Sequence, residues 1–414
     1  MLIFSYRYRG ICFAEADIRG EVTIMAKEEL RKDILDAFDV IDALTPDYIK
    51  FWEGVCNVEG MAKDKDRMDQ VADFVEEFAK ARGFAVTRTP FDLCGDFLTV
   101  DINEGAEKGY VFLAHLDTVH EYGKFGYPPV TVDLENDVMR GPGVIDCKGG
   151  AAVAMILMEA LKKQGYEKHL RLIMTSDEEI SNKLGGEKEM DFIRDSVTGF
   201  RGALNCEVSD EGTAVVSRSG IMRCNIQITG KASHAGINYF EGISAVREAA
   251  YKILQLETAS VKGGTTYNCG IIHGGELGNI VPKDCSVIVD IRVHSMEAMD
   301  QAWKFINEVT DKSFVEGSKS ELTLISRRLP MMRTPETEEL FEKIRSTSVK
   351  YGLGDLIPVE SGGGSDSAYT QAAGVPSVCA LGTCGDFCHT DKEFARISSL
   401  PQRAKMLAAV CVEY

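Results

Sequence analysis

Two histidines and five carboxylates stand where they could act together. His115 and Asp117 directly follow the apolar run Val111-Phe112-Leu113-Ala114, and Glu178 and Glu179 follow Leu172-Ile173-Met174-Thr175. Glu207 follows Ala203-Leu204-Asn205-Cys206, and His389 comes shortly after Val378-Cys379-Ala380-Leu381. Asp146 sits in the glycine-rich segment Gly141-Pro142-Gly143-Val144-Ile145-Asp146-Cys147-Lys148-Gly149-Gly150. Taken singly, each signal is weak. A histidine after a strand is more often a hydrogen-bonded surface or core residue, an adjacent glutamate pair is more often solvated loop, and the glycine segment lacks the Gly-Lys-Ser/Thr of a phosphate-binding P-loop. Together they form the mixed nitrogen and oxygen donor set that zinc takes, so a metal centre is the expectation.

The elements that must position these residues read as α/β. Phe97 to Ile102, Tyr110 to Ala114, Leu170 to Thr175, Ala203 to Cys206 and Ser377 to Leu381 are short apolar runs of the kind buried on both faces of a largely parallel sheet. Helical spacing covers Asp66 to Arg82, ending at Gly83, and Gly150 to Gln164. The candidate donors therefore fall beyond the C-terminal ends of parallel strands, the edge where open α/β sheets bind ligands. From Ser219 to Pro330 the order changes to strand, helix, strand, strand, helix, strand, a ferredoxin-like α+β module with an antiparallel sheet covered by two helices. The expected organisation is a catalytic domain over 25–218 and 331–414, interrupted by the inserted module at 219–330. Residues 1–24 lack clear periodicity and read as a possible non-native extension, with Met25 as the start.

The bulk numbers exclude several function classes. At 414 residues, 44% hydrophobic and 27% charged, the chain has material for one large or two medium globular domains. A net charge of −18 argues against nucleic acid, whose phosphates need clustered Lys and Arg. No apolar run approaches the roughly 18 residues of a membrane span, and no signal peptide is expected. The 12 cysteines are scattered without disulfide-scaffold spacing, which points to reduced thiols and a cytoplasmic protein.

Further motifs fix a resemblance. His115-Leu116-Asp117-Thr118-Val119, Asp146-x-Lys148-Gly149-Gly150, Asp177-Glu178-Glu179, Gly230-Lys231-Ala232-Ser233-His234-Ala235-Gly236, Asn279-Ile280-Val281-Pro282, Asp290-Ile291-Arg292, Gly362-Gly363-Gly364-Ser365-Asp366-Ser367 and His389-Thr390 follow one another in order. In this the chain, from about Lys50 onward, resembles the dinuclear zinc family of glutamate carboxypeptidase, acetylornithine deacetylase, succinyl-diaminopimelate desuccinylase and aminoacylase, and most closely its glutamate carboxypeptidase branch.

The resemblance implies two zinc ions per subunit, with cobalt or manganese as substitutes. One would take His115 and Glu207, the other Glu179 and His389, with Asp146 bridging and the Asp146-Cys147 peptide bond in cis. It makes Asp117 the carboxylate that orients His115, and Glu178 the general base. The inserted module becomes a lid and dimerisation domain whose His234 reaches the partner subunit's site to stabilise the oxyanion. Arg292, Asn279, Gly363 and Gly364 would hold the substrate carboxylate. The alternatives are that His234 caps the helix beginning near Glu241 and that Arg292 forms a structural ion pair. The implied reaction is hydrolysis of the amide bond of a dipeptide, small peptide or N-acyl amino acid with a free carboxylate. An N-acyl amino acid deacylase and a non-catalytic metal-binding protein on the same fold are the rival readings. His120, His169, His273 and His294 have no motif support, and Cys384, Cys388 and His389 lack the second cysteine pair of a zinc knuckle. Arg327 and Arg328 lie near the position of the branch's side-chain-recognising arginine, but the segment Arg327-Arg328-Leu329-Pro330 departs from its pattern.

Overall fold

The computed structural model describes residues 30–414, so the expectations for residues 1–24 and for a start at Met25 lie outside the described residues. At the centre is a six-stranded sheet in the order Ala85–Thr89, Phe97–Ile102, His169–Thr175, Lys108–His115, Gly202–Asn205, Ser377–Val378. All strands run parallel except Phe97–Ile102, which is antiparallel to both neighbours. Successive residues of Lys108–His115 enter different cores. Tyr110, Phe112 and Ala114 pack with the helices Lys32–Asn57, Lys148–Lys163 and Ser399–Glu413, whereas Val111 and Leu113 pack with Ile193, Val197 and Phe200. Burial on both faces is why these strands read as apolar runs without alternation.

The expected strand Ser377 to Leu381 is shorter than its apolar run. After Val378 the chain leaves the sheet, and Cys379 instead exchanges backbone hydrogen bonds of 2.8 and 2.9 Å with Val215. A second, small sheet has no counterpart in the sequence reading. It orders Gly385–Asp386, Phe394–Arg396, Val138–Arg140 and Thr131–Asp133, strands too short to leave a periodic signal.

The inserted lid begins with the strand Gly220–Thr229 and ends with Lys319–Arg328. Its antiparallel sheet has the order Thr266–Gly274, Asp284–Val293, Gly220–Thr229, Lys319–Arg328, covered by the helices Ala245–Glu257 and Met296–Asp311 around a core of their own. A buried ion pair joins the two helices. Lys252 Nζ lies 3.0 Å from Glu248 and donates to the carbonyls of Val309, Thr310 and Lys312, while Glu248 accepts from the amides of Phe314 and Val315. Those carbonyls end the helix Met296–Asp311, so the lysine satisfies acceptors the helix cannot. The chain enters and leaves the lid side by side, Arg218 and Met331 exchanging two backbone hydrogen bonds of 2.9 and 3.1 Å.

Among the described residues no helix is long and apolar enough to cross a membrane. Helix Lys148–Lys163 is buried from Lys148 to Leu161, and its first turn lies against the segment leading to Glu207. A Cβ on Gly150 would stand 1.9 Å from the Cys206 carbonyl oxygen. The backbone there cannot yield without moving the strand end. Gly150→Ala is therefore expected to destabilise by about 1–3 kcal/mol and to weaken metal binding through Glu207. Thermal denaturation together with a zinc titration checks both.

Candidate metal centre

Each donor stands at the end of an element that leaves it little freedom. His115 is the last residue of Lys108–His115, and the adjoining strand is locked to it by the Leu116 amide on the Thr175 carbonyl at 2.9 Å. Glu207 follows Gly202–Asn205, where the Cys206 amide donates to the Leu113 carbonyl at 2.8 Å. Asp146 precedes helix Lys148–Lys163, and its peptide bond to Cys147 is cis. His389 lies in the loop between Gly385–Asp386 and Phe394–Arg396.

The five expected metal donors meet. Asp146 Oδ1 is 3.0 Å from His115 Nε2, and its Oδ2 is 3.1 Å from His389 Nε2. Glu207 lies 3.9 Å from His115 Nε2, and Glu179 lies 3.1 Å from His389 Nε2. The donors form two groups, His115, Asp146, Cys147 and Glu207 in one and Asp146, Glu179 and His389 in the other. Asp146 alone belongs to both. Cys147 was not foreseen, but its sulfur already accepts the His115 amide at 3.0 Å. Neither Cys384 nor Cys388 joins either group.

Asp117 holds the frame of this cluster. His115 Nδ1 lies 3.0 Å from the Asp117 backbone carbonyl and 3.3 Å from its carboxylate, which accepts the amides of Glu178 at 3.2 Å and Glu179 at 3.0 Å. One buried aspartate thus orients an imidazole and pins the turn carrying both glutamates. Glu178 is buried, belongs to neither donor group, and is ion-paired with Arg328.

Electrostatically the cluster is short of positive charge. Burial, then the nearby Asp146 carboxylate, pushes Glu179 up to about 8. Burial, then Glu178 and Asp146, does the same to Glu207, also about 8. Burial also acts on Asp146, but the two imidazoles outweigh it and hold its carboxyl low. Hydrogen bonds to Asp146 and Glu179 raise His389 to about 11. Three crowded carboxylates with two imidazole nitrogens suit two divalent cations in charge and donor chemistry, so the residues present fit a metal pair.

The residues expected to hold substrate fall in two places. Arg292 forms a fork with Asp290, its Nε 2.6 Å from Oδ1, and its Nη1 donates to the Gly362 carbonyl at 3.1 Å. The structural ion pair is thus present, and the guanidinium still lies against the Gly362 to Gly364 loop. Gly363's amide is already engaged by Ser361 Oγ at 3.2 Å. His234 and Asn279 lie together at the exposed end of the lid, where the Ala235 amide donates to the Asn279 carbonyl at 2.9 Å. The hydrogen bonds of His234 are local, to Asn238 and Gly236. It does not cap the following helix, whose first turn is held by Ser244.

Two buried arginines stand at the site: Arg218, which the sequence reading missed, and Arg328, whose segment departs from the branch's pattern for a side-chain-recognising arginine. Arg218 donates to the Gly364 carbonyl at 3.2 Å and to Cys379 Sγ at 3.2 Å. Arg328 donates to the Glu178 carboxylate, to the Glu178 carbonyl at 2.7 Å and to Asn182 Oδ1. Both end a strand at the lid junction, and that position was the available signal.

The chain is similar in sequence and fold to known proteins. The sequence model of peptidase family M20/M25/M40 matches residues 111–413. Carboxypeptidase G2 of a Pseudomonas species is 29% identical over 380 residues, 89% of each chain. A putative succinyl-diaminopimelate desuccinylase of Mycobacterium tuberculosis is 25% identical over 309 residues, 69% of this chain and 80% of that one. The crystal structure of a tripeptidase from Staphylococcus aureus superposes with a TM-score of 0.72 at 21% identity, covering 88% of this chain and 97% of the other.

Removing the Asp117 carboxylate frees the glutamate turn and leaves the His115 ring held by the Asp117 backbone carbonyl alone. Asp117→Ala is expected to lower zinc affinity by about 10- to 100-fold, read by competition with a chromogenic chelator. Unaltered affinity would remove Asp117 from the support of the site.

Proposed function

We propose, from the premise that the chain belongs to peptidase family M20/M25/M40, that this metal-dependent hydrolase cuts the amide bond of a dipeptide, small peptide or N-acyl amino acid bearing a free C-terminal carboxylate. One observation carries the reading. A single carboxylate, Asp146, is shared by two donor groups, and beside them stands a buried glutamate, Glu178, that belongs to neither. Zinc suits the imidazole and carboxylate donors; His115 and Glu207 would hold one ion, Glu179 and His389 the other. When bound, two such cations supply Lewis acidity, lowering the pKa of water and polarising a carbonyl.

The chain's own residues supply the rest. Glu178, free of ligand duty, takes the proton from the attacking water at its carboxylate and passes it to the leaving amine. Arg328 fixes where that carboxylate stands. Arg292, with Asn279 and the Gly363-Gly364 loop, recognises the substrate carboxylate, a task suited to a planar guanidinium fork. His234 serves the active site of a second subunit as an oxyanion donor. The lid offers a surface for such a dimer, because its edge strand Thr266–Gly274 leaves Ile271 and Ile272 about half exposed (50% and 48%). The cysteines of the described residues are all free, which supports a reducing, cytoplasmic setting. A deacylase acting on N-acyl amino acids would use the same residues, and the desuccinylase among the relatives favours keeping that reading.

A panel of dipeptides and N-acyl amino acids, each assayed with zinc as free acid and as C-terminal methyl ester, tests the proposal. Hydrolysis confined to the free acids is expected, with Glu178→Gln about 10²- to 10⁴-fold slower in kcat at unchanged metal content. Full activity of that variant would refute the assigned base. Mixed dimers of His234→Ala and Glu178→Gln subunits should regain activity that neither parent has. Should they stay inactive, His234 does not act across subunits.

A further inference from the structure

We propose that Glu393 is a positioning residue for the metal pair, fixing the backbone of Asp146 relative to the loops that carry His115 and His389, with His120 holding Glu393 in place. The inference rests on the reading of Asp146 as the shared ligand. Glu393 is 1% exposed and lies four residues beyond His389, directly before the strand Phe394–Arg396. That strand pairs with Val138–Arg140, which feeds the loop bearing Asp146. Glu393 Oε1 accepts the Ile145 amide at 3.1 Å and the Asp146 amide at 3.4 Å. Its Oε2 is 2.6 Å from His120 Nε2.

His120 stands five residues after His115, in the loop that also holds Asp117. Its other ring nitrogen is buried without a hydrogen-bond partner, so its polar contact is the one to Glu393. One carboxylate therefore touches or belongs to the three loops that bring His115, Asp146 and His389 together. In the Asp146 loop the Val144 carbonyl is held by Trp52 Nε1 at 3.0 Å and Thr383 Oγ1 at 3.3 Å, while the amides of Ile145 and Asp146 rely on Glu393. Gly141 and Gly143 take positive φ values of 156° and 74°, which lets the loop turn but gives no side chain to hold it. Asp146 Oδ1 faces His115 and its Oδ2 faces His389, so a small shift of the Asp146 backbone would disturb both donor groups together.

The molecule contains a control of the same chemistry. Asp101 and His169 form another buried pair at 2.6 Å, with Arg171 Nε also 2.7 Å from Asp101 and His169 at the start of the strand that ends at Thr175, remote from the donors. Zinc affinity by chelator competition and thermal stability are measured on Glu393→Ala, Glu393→Gln, His120→Ala, Asp101→Ala and Asp146→Ala in the full chain. Glu393→Ala should weaken zinc binding about 10- to 100-fold, and Glu393→Gln, which keeps an acceptor for the two amides, should recover most of it. Asp101→Ala should lose thermal stability with zinc affinity intact. Glu393→Ala behaving like Asp101→Ala would overturn the inference. Should Glu393→Ala not fold, unchanged zinc affinity in His120→Ala overturns it equally. Asp146→Ala separates the two levels: if it binds zinc as the parent does, the shared-ligand reading itself fails, whereas loss of zinc there with none in the Glu393 variants sinks only the positioning role.

Discussion

Asp146 lies within hydrogen-bond distance of two imidazoles, with the Glu179 and Glu207 carboxylates beside them and mostly out of water, and this concentration of negative charge is the constraint on the rest of the catalytic domain. Burial and the neighbouring carboxylates push Glu179 and Glu207 up to about 8, so the cluster resists carrying all of its negative charge at once. Holding it takes a backbone that cannot relax. Strand ends supply one part of that stiffness, because Lys108–His115, His169–Thr175 and Gly202–Asn205 run parallel and deliver their following residues to the same edge. The close approach of Gly150 to the Cys206 carbonyl supplies another, leaving no slack between helix and strand.

Positive charge reaches this edge from the lid junction. Arg218 closes the strand before the lid, Arg292 lies on an inner lid strand, and Arg328 closes the last one. Arg218 and Arg292 grip carbonyls of the Gly362 to Gly364 loop, and Arg328 grips Glu178. The orientation of the lid and the position of the proposed base are consequently linked through side chains at the junction. Isolated at depth, such a guanidinium would be costly; pairing with a carboxylate and carbonyls offsets most of that cost, while Arg328 Nε stays buried without a hydrogen-bond partner.

The lid itself divides into an inner end that meets the catalytic domain and an outer end that carries His234 and Asn279. The outer end is ordered by its own backbone, the Ala235 and Val281 amides bonding across the two loops to Asn279 and Ser233. It has a separate core and a buried Glu248–Lys252 pair bracing its helices. A module of this independence can present a side chain to another subunit without help from its own catalytic domain, as the proposed role of His234 requires.

The sequence by itself determined the α/β class and the ferredoxin-like insertion and marked the His and acidic residues that meet in the two donor groups, because burial on both faces writes apolar runs into parallel strands and several of those residues directly follow such runs. Helical spacing over Asp66 to Arg82 and the strand order of the lid were legible for the same reason: each is a periodic, local pattern. Tertiary structure decided what local pattern cannot encode. The partner of Glu178 is Arg328, 150 positions away, and Glu393 finds His120 from 273 positions away. His120 carried no motif, and the short strands framing Asp146 and His389 carried no period, so only folding could bring them to the site. Contacts between residues far apart in sequence depend on how whole elements pack, and no run of neighbouring side chains records that.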